Sequence, residues 1–207
     1  MVRNKLTYLA LGDSYTIGEA VDQAESFPFQ LTAGLRVGGL DVEEPQVIAK
    51  TGWTTSELLE AIAAAEIKGT FSFVTLLIGV NNQYRGEAAT IYQQEFETLL
   101  HNALEYAGRI AAHVFVISIP DWGVTPYGQQ SGRDQMQISR EIDEFNQISR
   151  LQTEAAGVSY TDITPASRLA ETDGSLVAHD GLHPSEKMYQ GWADQLAKKI
   201  VAVFQAD

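Results

Sequence analysis

Four short, widely separated segments carry side chains able to do chemistry on a carbonyl group. Ser14 lies in Leu11-Gly12-Asp13-Ser14-Tyr15, Gly52 in Thr51-Gly52-Trp53, and Asn81 in Gly79-Val80-Asn81-Asn82. Asp180 and His183 share Asp180-Gly181-Leu182-His183-Pro184. A serine hydroxyl is a weak nucleophile at neutral pH and needs a base to take its proton. The base in turn needs an acceptor that fixes its tautomer and supports the imidazolium that forms. Asp180 and His183, three residues apart across a glycine, are spaced so that one bent loop presents carboxylate and imidazole together. A tetrahedral intermediate also needs donors for its oxyanion. The Ser14 and Gly52 backbone N–H groups and the Asn81 carboxamide are candidates, and Gly52 lets a substrate approach its backbone closely. The chemistry this set suggests is acyl transfer from an ester to water, with Ser14 as nucleophile, His183 as base and Asp180 orienting it.

The elements that must position these residues are legible as alternation. Five apolar, β-rich runs stand out: Lys5–Leu11, Gln46–Ala49, Phe71–Ile78, His113–Ile119 and Val158–Asp162. Between and after them, apolar residues recur at three- and four-residue intervals. The set Leu58, Leu59, Ile62 and Ala65 marks a helix over Thr55–Ile67, with Ser56 as a plausible cap. Ile91, Phe96, Leu99, Leu100 and Leu104 mark Thr90–Ile110, and Ile138, Ile142, Phe145, Ile148 and Leu151 mark Ile138–Ala156. Met188, Trp192, Leu196, Ile200 and Val203 mark a last helix over Glu186–Phe204. Such alternation predicts right-handed crossovers and a mainly parallel sheet covered on both faces, a doubly wound α/β domain spanning residues 1–207. Ligands of such sheets bind beyond the carboxyl ends of the strands. Each chemical segment follows a predicted strand, so all should meet at one edge.

Composition narrows the function classes. The 207 residues are 44% hydrophobic and 20% charged, an ordinary globular balance. With no cysteine, thiol catalysis, disulfides and thiolate metal sites are excluded. The formal net charge of -13 repels polyanions, so nucleic acid is not an expected partner, nor is an anionic lipid surface. No apolar run is long enough to span a bilayer. The segment Met1–Leu6 leads into the first strand without the pattern of a signal peptide, which makes the cytoplasm the expected compartment.

In order and spacing, the segments resemble the SGNH (GDSL) hydrolases, named for a Ser, a Gly, an Asn and a His in separate blocks. Ser14 matches the first block, Gly52 the second, Asn81 the third, and Asp180 with His183 the Asp-x-x-His of the last. The likeness runs from Gly12 to His183. It implies a three-layer α/β/α, flavodoxin-like fold with a five-stranded parallel sheet. It also implies hydrolysis of carboxylic esters without metal or other cofactor, on substrates such as acetylated sugars, lysophospholipids, thioesters and aryl esters. Two positions depart from the family pattern: Tyr15 replaces the leucine of the first block, and Asn82 stands where many members have aspartate.

Other readings compete. Ser14 could cap the first helix, and Asn81 could cap a turn. His179, Asp180 and His183 include two histidines four apart, a spacing some zinc sites use on a helix. Gly181 and Pro184 argue against a helix there. Asp13 and Asp121 evoke a phosphorylatable domain, but Thr164-Pro165-Ala166-Ser167 lacks the lysine it would want. A non-catalytic carbohydrate- or ester-binding module and an acyltransferase remain as alternatives to a hydrolase of small, short-chain or acetyl esters. Trp53, Tyr84, Trp122 and Tyr127 fall on loops near the expected site as candidate substrate-binding residues, and Arg85 as a candidate for an anionic group.

Overall fold

The computed structural model describes residues 5–205, so the reading of Met1–Asn4 lies outside the described residues. In chain order the elements are β1 (Tyr8–Gly12), α1 (Ser14–Ile17), α2 (Phe27–Val37), β2 (Gln46–Ala49), α3 (Thr55–Ala64), β3 (Phe73–Leu77), α4 (Val80–Arg85) and α5 (Ala89–Tyr106). There follow β4 (Val114–Ile117), α6 (Pro126–Gln130), α7 (Gln135–Ala155), β5 (Ser159–Thr161), α8 (Thr164–Ser167) and α9 (Glu186–Phe204). The five strands form one sheet, all neighbours parallel, in the order β2-β1-β3-β4-β5. Helix α2 packs on α9, while α5 packs on both α3 and α7, giving one helical layer on each side of the sheet. This is the three-layer, doubly wound architecture that the alternation predicts.

Parallel strands covered on both faces must be apolar throughout. Every residue of β1, β3 and β4 is buried. Tyr8 and Phe73 stack at 4.4 Å between neighbouring strands, and Phe73 meets Phe115 edge-on. The core helices differ from the expected stripes in detail. Ile91 and Leu151 face solvent, and Tyr92 in α5 and Thr153 in α7 are buried instead. Helix α3 is capped by Thr54 rather than Ser56: the Thr54 side chain accepts from the Glu57 N–H while Glu57 Oε2 accepts from the Thr54 N–H at 2.8 Å. The loop after β4, unassigned from the sequence, holds a 3₁₀ turn over Trp122–Val124 and the short helix α6.

Two features of the sheet position the site. In its register, Gly12 pairs with Ala49 on one side and Leu77 on the other. The chain therefore leaves β1, β2 and β3 at the same level of the same edge. The strand order also reverses at β1, since the chain passes to β2 on one flank and then to β3 on the other. That reversal opens the crevice in which doubly wound sheets bind ligands. No helix among the described residues is long and apolar enough to cross a membrane.

Candidate active site

Ser14 is the first residue of α1, immediately beyond β1, in a turn that only glycine permits at position 12. A Cβ on Gly12 would overlap Thr16 Oγ1 and lie 2.5 Å from the Leu77 carbonyl oxygen. The capping task weighed for Ser14 falls to Asp13, whose Oδ1 accepts from the Tyr15 N–H at 3.0 Å. The Ser14 hydroxyl is not spent on capping.

One cavity of about 210 Å³ brings Ser14, Gly52, Asn81 and His183 together, with Tyr84, Trp122 and Tyr127 on its walls. Gly52 has φ +87°, a left-handed conformation that favours glycine. Its carbonyl accepts from Arg85 Nη2 at 2.6 Å, and Arg85 also pairs with Glu57 at 3.2 Å. Arg85 thus fixes the peptide around Gly52 rather than standing ready for an anionic ligand. Asn81 Nδ2 donates one hydrogen to the Trp53 carbonyl at 2.9 Å, which orients the carboxamide and leaves its second hydrogen for the cavity.

Asn82 is fully buried. It accepts from the Thr55 N–H at 3.1 Å and donates to Thr55 Oγ1 at 2.7 Å and Glu87 Oε2 at 2.8 Å. It ties the loop after β3 to the start of α3. With Glu87 as the third partner an amide is suited to the position, since aspartate would face a second carboxylate without a donor.

Asp180 and His183 are joined by a 2.5 Å hydrogen bond between Oδ2 and Nδ1. Asp180 Oδ1 accepts from the N–H groups of Leu182 and His183 at 2.9 and 3.0 Å. Burial pushes the Asp180 carboxyl up, but the imidazole and the two backbone donors outweigh it and hold the group below its ordinary value. The His183 ring meets Tyr15 edge-on at 5.7 Å, and Tyr15 meets Trp192 edge-on at 6.3 Å. The tyrosine at the family's leucine position therefore packs the imidazole against the core. His179 is exposed, and among the described residues no group of three His, Asp or Glu side chains is arranged to hold a metal ion.

The aromatic candidates separate. Trp53 is half-buried against the core and contributes its carbonyl, not its ring, to the site. Trp122 borders the cavity but is 2% exposed: its Nε1–H donates to Gln83 Oε1 at 2.8 Å, and Arg133 lies 5.6 Å over its ring. It is a floor rather than a stacking platform. Tyr84 and Tyr127, both exposed, meet over it with their hydroxyls 2.8 Å apart. Asp121 is buried and bound by Arg168, Ser139 and the Gly123 N–H, a structural knot outside the cavity. Leu182, Val80 and Tyr15 also line the cavity. Their adjacency to motif residues was the only signal of this in the sequence.

Asp13, beneath the Ser14 turn, is among the buried polar groups left incompletely paired. It is fully buried, its Oδ2 has no hydrogen-bond partner, and burial pushes its pKa up to about 7 against the Tyr15 hydrogen bond. The unfolded chain releases this proton near pH 3.8, the folded protein only near 7. Folded stability should therefore fall as pH rises between those values, and the loss persists above them. Asp13→Asn keeps the acceptor for Tyr15 and removes the ionisation. It should be near-neutral at pH 4 and stabilising by roughly 2–4 kcal/mol at pH 8. Urea unfolding at both pH values measures this, and equal shifts at the two would show that the carboxyl is not held neutral.

A hydroxyl at the turn after β1, a carboxylate-bound imidazole and an asparagine carboxamide border one cavity at the reversal of a parallel α/β sheet. The GDSL-like lipase/acylhydrolase family matches residues 10–191, and the chain belongs to that family. The fold is similar to that of TesA, with a TM-score of 0.71 at 18% identity over 94% of this chain and 97% of that one. The psychrotrophic esterase EstA from Pseudoalteromonas sp., in a structure inhibited by monoethylphosphonate, gives 0.72 at 18% identity over 97% and 100%. A lipase/acylhydrolase from Enterococcus faecalis gives 0.70 at 20% identity over 94% and 95%. Among curated proteins, no sequence matches.

Proposed function

We propose that the chain, acting as a single domain, hydrolyses small carboxylic esters through Ser14, His183 and Asp180, with an oxyanion hole formed by the N–H groups of Ser14 and Gly52 and the Asn81 carboxamide. The observation that carries this reading is that one cavity is bordered by Ser14, Gly52, Asn81 and an imidazole whose other nitrogen is held by Asp180. His183 Nε2 takes the Ser14 proton as Oγ attacks the ester carbonyl. The oxyanion is met by the three donors. His183 then protonates the leaving alcohol as its C–O bond breaks, leaving an acyl-Ser14 ester. Water, deprotonated by His183, attacks that ester, and collapse of the second intermediate returns the proton to Ser14 and releases the acid.

The cavity size and the net charge of -13 support a small ester over an interfacial lipid. At about 210 Å³ the cavity is smaller than the roughly 300–1,000 Å³ usual for drug-sized ligands.

A fluorophosphonate probe tests the reading, because only an activated hydroxyl displaces its fluoride. That chemistry accords with the phosphonate-inhibited esterase that shares the fold. The expected result is one phosphonyl adduct on the peptide carrying Ser14 and none in Ser14→Ala. An unlabelled wild type would instead favour a binding module. Adding alcohol acceptors to the reaction and analysing the products separates hydrolysis from acyl transfer.

A further inference from the structure

Along the α4 side the catalytic cavity is bordered by Tyr84 and Tyr127, and the same two residues, with Gln130, Ser131 and Arg133, border a second, larger cavity of about 540 Å³. The two tyrosines come from different elements, α4 and α6, and their hydroxyls are joined at 2.8 Å. Each is braced from behind. The Tyr84 ring stands edge-on to Trp122 at 5.3 Å, and the Tyr127 ring is tilted against it at 6.1 Å. The Tyr127 N–H donates to the Gly181 carbonyl at 2.9 Å, tying α6 to the loop that carries Asp180 and His183. Arg133 is held by Glu141 at 2.7 Å and lies over Trp122. The wall between the cavities is therefore a built feature of α4 and α6, not two loose side chains.

Resting on the ester-hydrolase reading above, we propose that the hydroxyl-bridged pair Tyr84–Tyr127 sets the acyl chain length this enzyme accepts, restricting it to short acyl groups. The leaving alcohol must lie against His183, which protonates it. The acyl chain, the other substituent on the carbonyl carbon, is assigned to the side bordered by Tyr84, and a series of esters of lengthening alcohols tests the reverse placement. Val80, Trp122 and the two tyrosine rings offer that chain an apolar lining, with the hydroxyl-bridged pair standing across its path. Beyond the wall the surroundings turn polar. A longer chain must break the tyrosine bridge and then bury methylenes beside Gln130, Ser131 and Arg133, so both steps oppose it.

The test is kcat/KM for p-nitrophenyl esters from acetyl to decanoyl, in wild type, Tyr84→Ala and Tyr127→Phe, beside a series of acetate esters of lengthening alcohols. Misfit of a single methylene in an apolar pocket is worth roughly 10–200-fold. Wild type should favour acetyl or butyryl over octanoyl by at least about tenfold. Tyr84→Ala should raise the octanoyl-to-acetyl ratio by about 10–200-fold, chiefly through KM of the long ester. Tyr127→Phe, which removes one oxygen and keeps the ring, should move the ratio the same way by less. Tyr84 is exposed, so its truncation leaves the core untouched, and Tyr127→Phe gives a second reading should that variant misbehave.

An acyl profile that does not move in either variant overturns the inference, and so does a shift confined to the alcohol series. If Ser14-dependent activity is present but the profile is unmoved, this inference alone fails. Absence of Ser14-dependent activity on every ester would remove the hydrolase reading and this one together.

Discussion

Ser14→Ala is expected to lower kcat on p-nitrophenyl acetate by about 10⁴–10⁶-fold while changing KM little. The size of the effect follows from what the variant leaves behind. Without the hydroxyl there is no covalent intermediate, so water must attack the bound ester directly. The remaining help comes from the oxyanion donors and from binding, which in serine hydrolases leaves about 10³–10⁴-fold over the uncatalysed reaction. The architecture should survive, because Asp13 rather than Ser14 caps α1 and Gly12 still allows the tight turn. The side chain is small and nearly buried, so its loss makes no cavity of consequence. If Ser14 and His183 act as one unit, as proposed, adding His183→Ala to Ser14→Ala should cost little more, whereas each alone should cost nearly the whole. A Ser14→Ala enzyme within tenfold of wild type would move the nucleophile elsewhere.

How much of this arrangement could be read in the chain depended on the range of the interactions involved. Strand β2 and helix α9 occupy the residues that their local patterns mark, Gln46–Ala49 and Glu186–Phe204. The other strands are shorter than their apolar runs, because residues such as Phe71 and Ile119 continue the burial after ladder pairing has stopped. Helix α2 was not foreseen. Its buried apolar residues Phe27, Leu31 and Leu35 make a narrow line interrupted by Pro28 and Gly34, and its packing partner α9 lies far away in sequence. The convergence of the four segments was legible because the rule that loops after parallel strands share an edge needs no side-chain detail.

What lines that edge was not legible to the same degree. Trp53, Trp122 and Arg85 are as plausible on loops as Tyr84, and only tertiary partners separate them. Gln83 captures the Trp122 indole, while Glu57 and the Gly52 carbonyl capture Arg85. Asn82 is the same lesson in reverse. The departure from aspartate looks like a weakening until Glu87, five residues on, supplies the acceptor that makes an amide the fitting choice.

The second large effect is expected at Asp180, and the choice of substitution decides what it reports. Asp180→Asn should lower kcat by about 10⁴-fold on the same ester. The asparagine Oδ1 can still accept from the Leu182 and His183 N–H groups, so the bent loop and its tie to Tyr127 through Gly181 remain. What changes is the atom facing His183 Nδ1. An NH₂ group there makes Nδ1 the acceptor and places the ring proton on Nε2, the nitrogen proposed to receive the proton of Ser14. The imidazole is then in the wrong tautomer, and the imidazolium formed during attack loses its carboxylate. Asp180→Ala would remove both the tautomer control and the loop anchors, so a loss of activity in that variant alone says little. The informative combination is an Asn variant with near wild-type thermal stability and a collapsed kcat. If its kcat stayed within tenfold, His183 would not depend on Asp180 for its orientation and proton inventory. The 2.5 Å contact would then be a loop-stabilising pair rather than part of the catalytic relay.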